Sequence, residues 1–224
     1  MQLPPKAVLF DCDGVLVDSE TITNTVMRDS LAQHGLNLEL HEVMALFVGG
    51  TIQSCFEQGK KLGANLPDNW VSNIYEEMYT RLAEDVTLIP GVAQMLDELD
   101  KADVPYAVGS NGPHAKMAVT LSKTGLYERL EGRIVSREDV DRPKPAPDIY
   151  LRAAELLGES PEHCIVIEDS IKGAEAGIAA GMVTWGFTAE TSEKSLSQVC
   201  DITFHKMADL PMLLNLWPST KRTS

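Results

Sequence analysis

The stretch "KAVLFDCDGVLVDSE", residues 6–20, runs five mainly apolar positions into three aspartates, Asp11, Asp13 and Asp18. Residues 6–10 have the length and continuity of a strand buried on both faces, and Asp11 falls at its C-terminal end. Alternate residues of an extended chain share a side. Asp11 and Asp13, with only Cys12 between them, would therefore repel unless a cation or a shared proton intervened. Asp and Gly are also ordinary turn residues, so "DCDG" by itself is compatible with a plain turn. It is not an EF-hand loop, which needs further oxygen ligands before its Gly and a Glu well downstream.

Downstream of this strand the chain reads as helical. Ser19 or Thr21 is placed to cap a helix that ends near His34 at Gly35, and helices are expected over 38–47, 52–63 and 68–85, with no convincing strand between 18 and 85. From Pro90 the pattern alternates. Helices are expected over 90–102, 113–125, 148–158 and 171–181, and strands over 105–110, 133–136, 164–169 and 182–187. Strands alternating with helices imply an α/β fold, a Rossmann-like parallel sheet with helices on both faces and right-handed crossovers. Residues 1–17 and 86–224 then form the core, and 18–85 an inserted all-α cap.

Ligands of open α/β sheets bind beyond the carboxyl ends of the strands. Three expected strands end in polar residues: Asp11 and Asp13, Ser110 and Asn111, and Glu168 and Asp169. "SNG" (110–112) offers a hydroxyl, a carboxamide and the Gly112 amide before a helix, donors suited to a phosphoryl oxygen or equally to an ordinary capping turn. Lys144 lies between two prolines in "RPKPAPD", which stiffen the backbone that aims its ammonium group. Glu168 and Asp169 also suit the N-terminal end of the helix that follows them. Gly173, Gly177 and Gly181 recur every four residues along one face of that helix, as expected for close packing against the sheet. Together these residues fit one reaction: a hard divalent cation takes oxygens from Asp11 and Asp169 and bridges to a phosphate, which a carboxylate attacks.

Composition narrows the classes. Nineteen Lys and Arg against thirty-three Asp and Glu give a formal charge of -14, a field that disfavours nucleic acid or an anionic membrane as partner. Cys12, Cys55, Cys164 and Cys200 are scattered without metal-ligand spacing, as in a cytoplasmic protein with reduced thiols, and no apolar stretch has the length of a membrane span. No apolar helix stripe points to a dimer contact, which leaves monomer as the default. The five histidines form no catalytic or metal-binding spacing; His114 lies nearest "SNG", with a surface or capping role expected.

At these residues the chain resembles the haloacid dehalogenase superfamily, in its phosphatase branch with a small helical cap. D-x-D-G-x-[LIV]-x-D is met by Asp11, Asp13, Gly14 and Asp18. A strand-terminal Ser is met by Ser110 with Asn111, K-P-x-P by Lys144, and E-D-S-x-x-G by Glu168, Asp169, Ser170 and Gly173. The resemblance implies that Asp11 is the nucleophile, that Asp13 is the acid–base group, and that Mg²⁺ is held by Asp11, the Asp13 carbonyl and Asp169, with Glu168 contributing directly or through water. Ser110, Asn111, Gly112 and Lys144 would hold the transferring group.

It implies a small-molecule phosphate ester, such as a sugar or sugar-acid phosphate, as substrate. Cap residues Gly49 and Gly50 would offer amides to it ahead of a helix that Thr51 is placed to cap. Beta-phosphoglucomutases share D-G-V and the cap, but their cap histidine corresponds to Thr23 and their cap arginine falls near Ile52. Hydrolysis is therefore expected, with a sugar-phosphate mutase or a non-catalytic phosphometabolite-binding protein as the alternatives.

Overall fold

The computed structural model describes residues 3–47, 51–188 and 191–216. The chain divides into two compact units, Asp18–Thr87 and the two flanking segments Met1–Val17 and Leu88–Ser224. In chain order the elements begin with strands β1 (Ala7–Phe10) and β2 (Val17–Asp18). Helices α1 (Glu20–Gln33), α2 (Leu40–Phe47), α3 (Ile52–Lys61) and α4 (Trp70–Asp85) follow, then β3 (Thr87–Leu88), α5 (Val92–Lys101), β4 (Tyr106–Ser110), α6 (His114–Lys123) and β5 (Ile134–Ser136). The last part comprises α7 (Asp148–Leu157), β6 (Cys164–Glu168), α8 (Ile171–Ala179), β7 (Val183–Phe187), α9 (Glu193–Leu196), β8 (Ile202–Phe204) and α10 (Leu210–Leu213).

Six strands form one parallel sheet in the order β5-β4-β1-β6-β7-β8. β1 lies inside it and is wholly buried, which is why its sequence is apolar at every position rather than at every second one. Ala7 and Leu9 join Tyr150, Ala153, Val166 and Ala176 in a core between the sheet and helices α7 and α8. Val8 and Phe10 take the other face, where the Phe10 ring meets Tyr106 edge-on at 6.4 Å. Register brings the strand ends level. Phe10 is opposite Val108 on one side and Ile167 on the other, so Asp11, the Ser110 turn and Glu168 leave the sheet along one edge.

The helical unit has its own core. α1 and α4 pack together, and α4 presents Trp70, Ile74, Met78 and Leu82 at four-residue spacing, all buried. Trp70 stacks on Phe56 at 6.1 Å and its indole N–H donates to Ser30 Oγ at 2.9 Å, which satisfies the two polar atoms buried there. Thr51 caps α3 as its sequence implies: its hydroxyl accepts from Ser54 N, while Ser54 Oγ accepts from Thr51 N.

All five expected sheet strands are present. Two features differ from expectation. β8 adds an edge strand at Ile202–Phe204, and Asp18, inside the stretch read as free of strands, belongs to β2, which pairs with β3 as a two-residue ribbon. Neither element is long enough to show a hydrophobic period.

The Trp70–Ser30 bond gives a direct test of the helical core. Ser30→Ala leaves a fully buried indole N–H without its acceptor and is expected to lower stability by about 1–3 kcal/mol, measured by urea unfolding. A change within a few tenths of a kcal/mol would show that the bond contributes little there.

Candidate active site

Asp11 is the first residue past β1. Its N–H donates to Ile167 O at 3.0 Å, extending the ladder between β1 and β6 by one bond and fixing where the carboxylate emerges. That carboxylate is nearly buried and meets the ammonium of Lys144 at 2.6 Å. The same ammonium reaches Glu168 Oε1 at 2.6 Å and Tyr150 Oη at 2.9 Å, so each of its three N–H bonds has a partner. Tyr150 in turn donates to Glu168 Oε1 at 2.8 Å.

The backbone of Lys144 is held as firmly as its side chain. Asn111 Oδ1 accepts from Lys144 N at 2.9 Å and Asn111 Nδ2 donates to Lys144 O at 3.1 Å, two bonds across 33 residues. The carboxamide expected to face a phosphoryl oxygen is thus spent on aiming the lysine.

Glu168 is equally committed. Its Oε2 accepts from Asp169 N and Ser170 N, each at 3.1 Å, and from Ser170 Oγ at 2.9 Å. With Lys144 and Tyr150 on Oε1, five donors saturate one carboxylate. The first turn of α8 makes room for it: a β-carbon on Gly173 would stand 1.7 Å from Glu168 Oε1.

Beside it Asp169 packs onto the main chain of the opening turn. A β-carbon on Gly14, whose φ is +74°, would lie 2.2 Å from Asp169 Oδ2. Carboxylate oxygens of Asp11, Glu168 and Asp169 come within 4.8 Å of one another, all three buried. An oxygen-only, acid-rich set of this kind fits a hard divalent cation.

The electrostatics agree with the charge count. Burial, with Glu168 and Asp13 adding to it against the pull of Lys144, pushes Asp11 up to about 7. Burial alone would lower Lys144, but Asp11 and Glu168 outweigh it and hold the ammonium above its usual range, hence charged. Cys12, between the two aspartates, is fully buried; burial first, then Asp13 and Asp11, push its thiol well above the usual value.

The turn after β4 closes the other side. Gly112 N donates to Ser110 Oγ at 2.9 Å and Ser136 Oγ donates to Gly112 O at 2.8 Å. The site of a β-carbon on Gly112 is 3.2 Å from Ser110 Oγ and 3.6 Å from Asp13 Oδ2, which places the second aspartate over this turn. Asp13 Oδ1 pairs with Lys116 Nζ, on the first turn of α6, at 2.8 Å. His114 faces away: its N–H donates to Glu138 Oε2 at 2.9 Å and its ring pairs with Asp139 at 2.8 Å, a capping and surface role.

The structure therefore brings together Asp11, Asp13, Ser110, Asn111, Gly112, Lys144, Glu168 and Asp169. Gly49 and Gly50 lie outside the described residues. Two participants escaped the sequence reading. Tyr150 looks like any aromatic on the buried face of α7, and Lys116 like any lysine near a helix start.

A family model, that of the haloacid dehalogenase-like hydrolases, matches residues 5–181. The chain is 30% identical to 6-phosphogluconate phosphatase of Escherichia coli over 210 residues, 93% of this chain and 94% of that protein. It is 32% identical to hexitol phosphatase A of Escherichia coli, covering 92% of this chain and 93% of that one. Among solved structures, a family hydrolase from Deinococcus radiodurans R1 with bound phosphate and sodium superposes with a TM-score of 0.84 at 34% identity, over 96% of this chain and 97% of that one. With strand ends, acidic cluster and lysine arranged as described and with matches of this length, the chain belongs to the haloacid dehalogenase-like hydrolases.

Proposed function

We propose that the protein is a Mg²⁺-dependent phosphatase that hydrolyses a small phosphorylated metabolite, a sugar or sugar-acid phosphate, through an aspartyl-phosphate on Asp11. The observation that carries this is the placement of Asp11: a nearly buried carboxylate at a strand end, 2.6 Å from a charged lysine and beside the Ser110–Gly112 turn. The two Escherichia coli relatives, named for 6-phosphogluconate and hexitol phosphates, support the substrate class.

In the first half-reaction an oxygen of Asp11 attacks phosphorus, the bond from phosphorus to the ester oxygen breaks, and Asp13 gives its proton to the departing alkoxide. In the second, Asp13 takes a proton from a water molecule whose oxygen attacks phosphorus. The acyl-phosphate bond breaks, Asp11 is regenerated, and inorganic phosphate leaves. Lys144 offsets the charge on the phosphoryl oxygens next to Asp11, and the Ser110 hydroxyl, held by the Gly112 N–H, orients them with the main-chain N–H of Asn111.

Asp11, Asp169 and the Asp13 carbonyl would hold Mg²⁺. Glu168, its oxygens taken by five donors, would serve the ion through water and fix Lys144 and the 168–170 turn. When bound, the ion supplies positive charge that favours ionised Asp11 and screens the phosphate it must approach. The helical unit would act as the cap that selects the substrate.

Hydrolysis is favoured over mutase chemistry at Thr23, which stands where the mutases carry a histidine. Its hydroxyl is engaged within its own helix, donating to Ser19 O and Glu20 O at 3.1 Å each. A hydroxyl so placed is no proton-transfer group for isomerisation.

Two measurements test the proposal. Phosphate release from a panel of sugar, sugar-acid and polyol phosphates is expected with Mg²⁺, to stop with chelator, and to be abolished in a folded Asp11→Asn variant. Release that survives in that variant would remove Asp11 from the chemistry. Separately, Mg²⁺ at about 100 times its dissociation constant is expected to stabilise the wild type by about 2.7 kcal/mol, read as a rise in Tm, and Asp169→Asn to lose most of that rise. An undiminished rise in the variant would place the ion elsewhere.

A further inference from the structure

Besides Lys144, Lys116 is the one cation among the described residues that pairs with Asp11 or Asp13. It sits on the first turn of α6, three residues past Pro113, and its Nζ lies 2.8 Å from Asp13 Oδ1. Both side chains of the pair are about four-fifths buried, far from the exposed geometry in which such pairs contribute little. The path between them runs over Gly112. A β-carbon there would be 3.6 Å from Asp13 Oδ2 and 3.9 Å from Lys116 Cδ, so the bare α-carbon of Gly112 forms the floor on which both side chains lie. Ser110 Oγ is 3.2 Å from the same point. The lysine therefore engages one oxygen of Asp13 while the other stays over the turn that would bind the phosphoryl group.

We propose that Lys116 is a positioning residue for Asp13: by holding Oδ1, it keeps Oδ2 over Gly112, where proton transfer to and from the ester oxygen and the attacking water takes place. This rests on the phosphatase reading and deepens it. A carboxylate three residues past a strand, on a turn, has rotamers that point away from Asp11, and a fixed cation at one oxygen selects among them. Acid–base groups act only within hydrogen-bond reach of the proton they move, so loss of this constraint weakens proton transfer while leaving the nucleophile and the 110–112 turn in place.

The leaving group separates this role from a merely structural one, or from direct contact between Lys116 and the phosphoryl oxygens. Departure of an alkoxide from a hexitol phosphate needs a proton; departure of p-nitrophenolate does not. Lys116→Met is expected to lower kcat/KM for sorbitol 6-phosphate by about 100-fold. The initial burst of p-nitrophenol from p-nitrophenyl phosphate should stay within about threefold of wild type, and the slow turnover that follows should reflect impaired attack of water on the aspartyl-phosphate. Lys116→Arg should recover most of the alkyl-ester rate. Equal losses on both esters, or no loss on either, would overturn the assignment.

A crystal structure of Lys116→Met gives a readout independent of turnover. Asp13 is expected to leave its place over Gly112, and an unmoved Asp13 would also overturn the proposal. If the wild type hydrolyses neither ester, the phosphatase reading itself fails, and the position of Asp13 in that crystal still decides whether Lys116 sets it.

Discussion

Burying carboxylates without compensating charge is among the most costly things a fold can do, and the edge of this sheet buries three. The ammonium of Lys144, shared by Asp11 and Glu168 at 2.6 Å each, is what makes the arrangement tolerable. Much of the surrounding structure serves that contact. Asn111 grips the lysine backbone at both its N–H and its C=O, Tyr150 supplies the third partner of the ammonium, and the start of α8 yields space through Gly173 so that Glu168 can lie beneath it. Even so, Asp11 is pushed up to about 7. The cluster holds more negative charge than one lysine balances, and that deficit suits a site expected to take up a cation.

The topology explains why such distant residues meet. β1 runs between β4 and β6, so the segment after β1 is flanked by the turns after both neighbours without any long excursion of the chain. Position 11 sits at the crossing of the two registers, beyond Phe10 paired with Val108 and with Ile167. Lys144 comes from the loop ahead of α7, the helix that packs across β4 and β1, and so approaches Asp11 from the covered face. The sheet supplies a rigid row of attachment points, and the clustered polar side chains hang from short turns.

Much of this was legible in the sequence. Continuous apolar runs bounded by Pro, Gly or Asp mark strands buried on both faces, and the five runs read that way, at 6–10, 105–110, 133–136, 164–169 and 182–187, all contain strands of the sheet. β8 was missed because three residues at an edge, the first of them exposed, carry no period. Residue types at the strand ends marked where the polar cluster forms, yet the contacts each side chain makes within it were hidden. The carboxamide of Asn111 suggested a phosphate donor; its partner turned out to be the main chain of a residue 33 positions away, and no local pattern encodes that. The glycine series on α8 had looked like a single packing device. Gly177 does face the sheet, where a β-carbon would strike Thr184 and Val166; Gly173 instead accommodates Glu168, and Gly181 ends the helix with a φ of +77°.

Cys12 lies on the backbone between Asp11 and Asp13 but points the other way, sealed in the core and held as a protonated thiol. A sulfur so near these carboxylates would be a liability if it ionised, since the thiolate is the form that oxidants and alkylating agents attack. Its burial keeps this thiol protonated and away from solvent. Cys200, half-buried, packs its sulfur against β7, 3.0 Å from the place of a β-carbon on Gly186, and burial pushes its thiol up to about 11 as well.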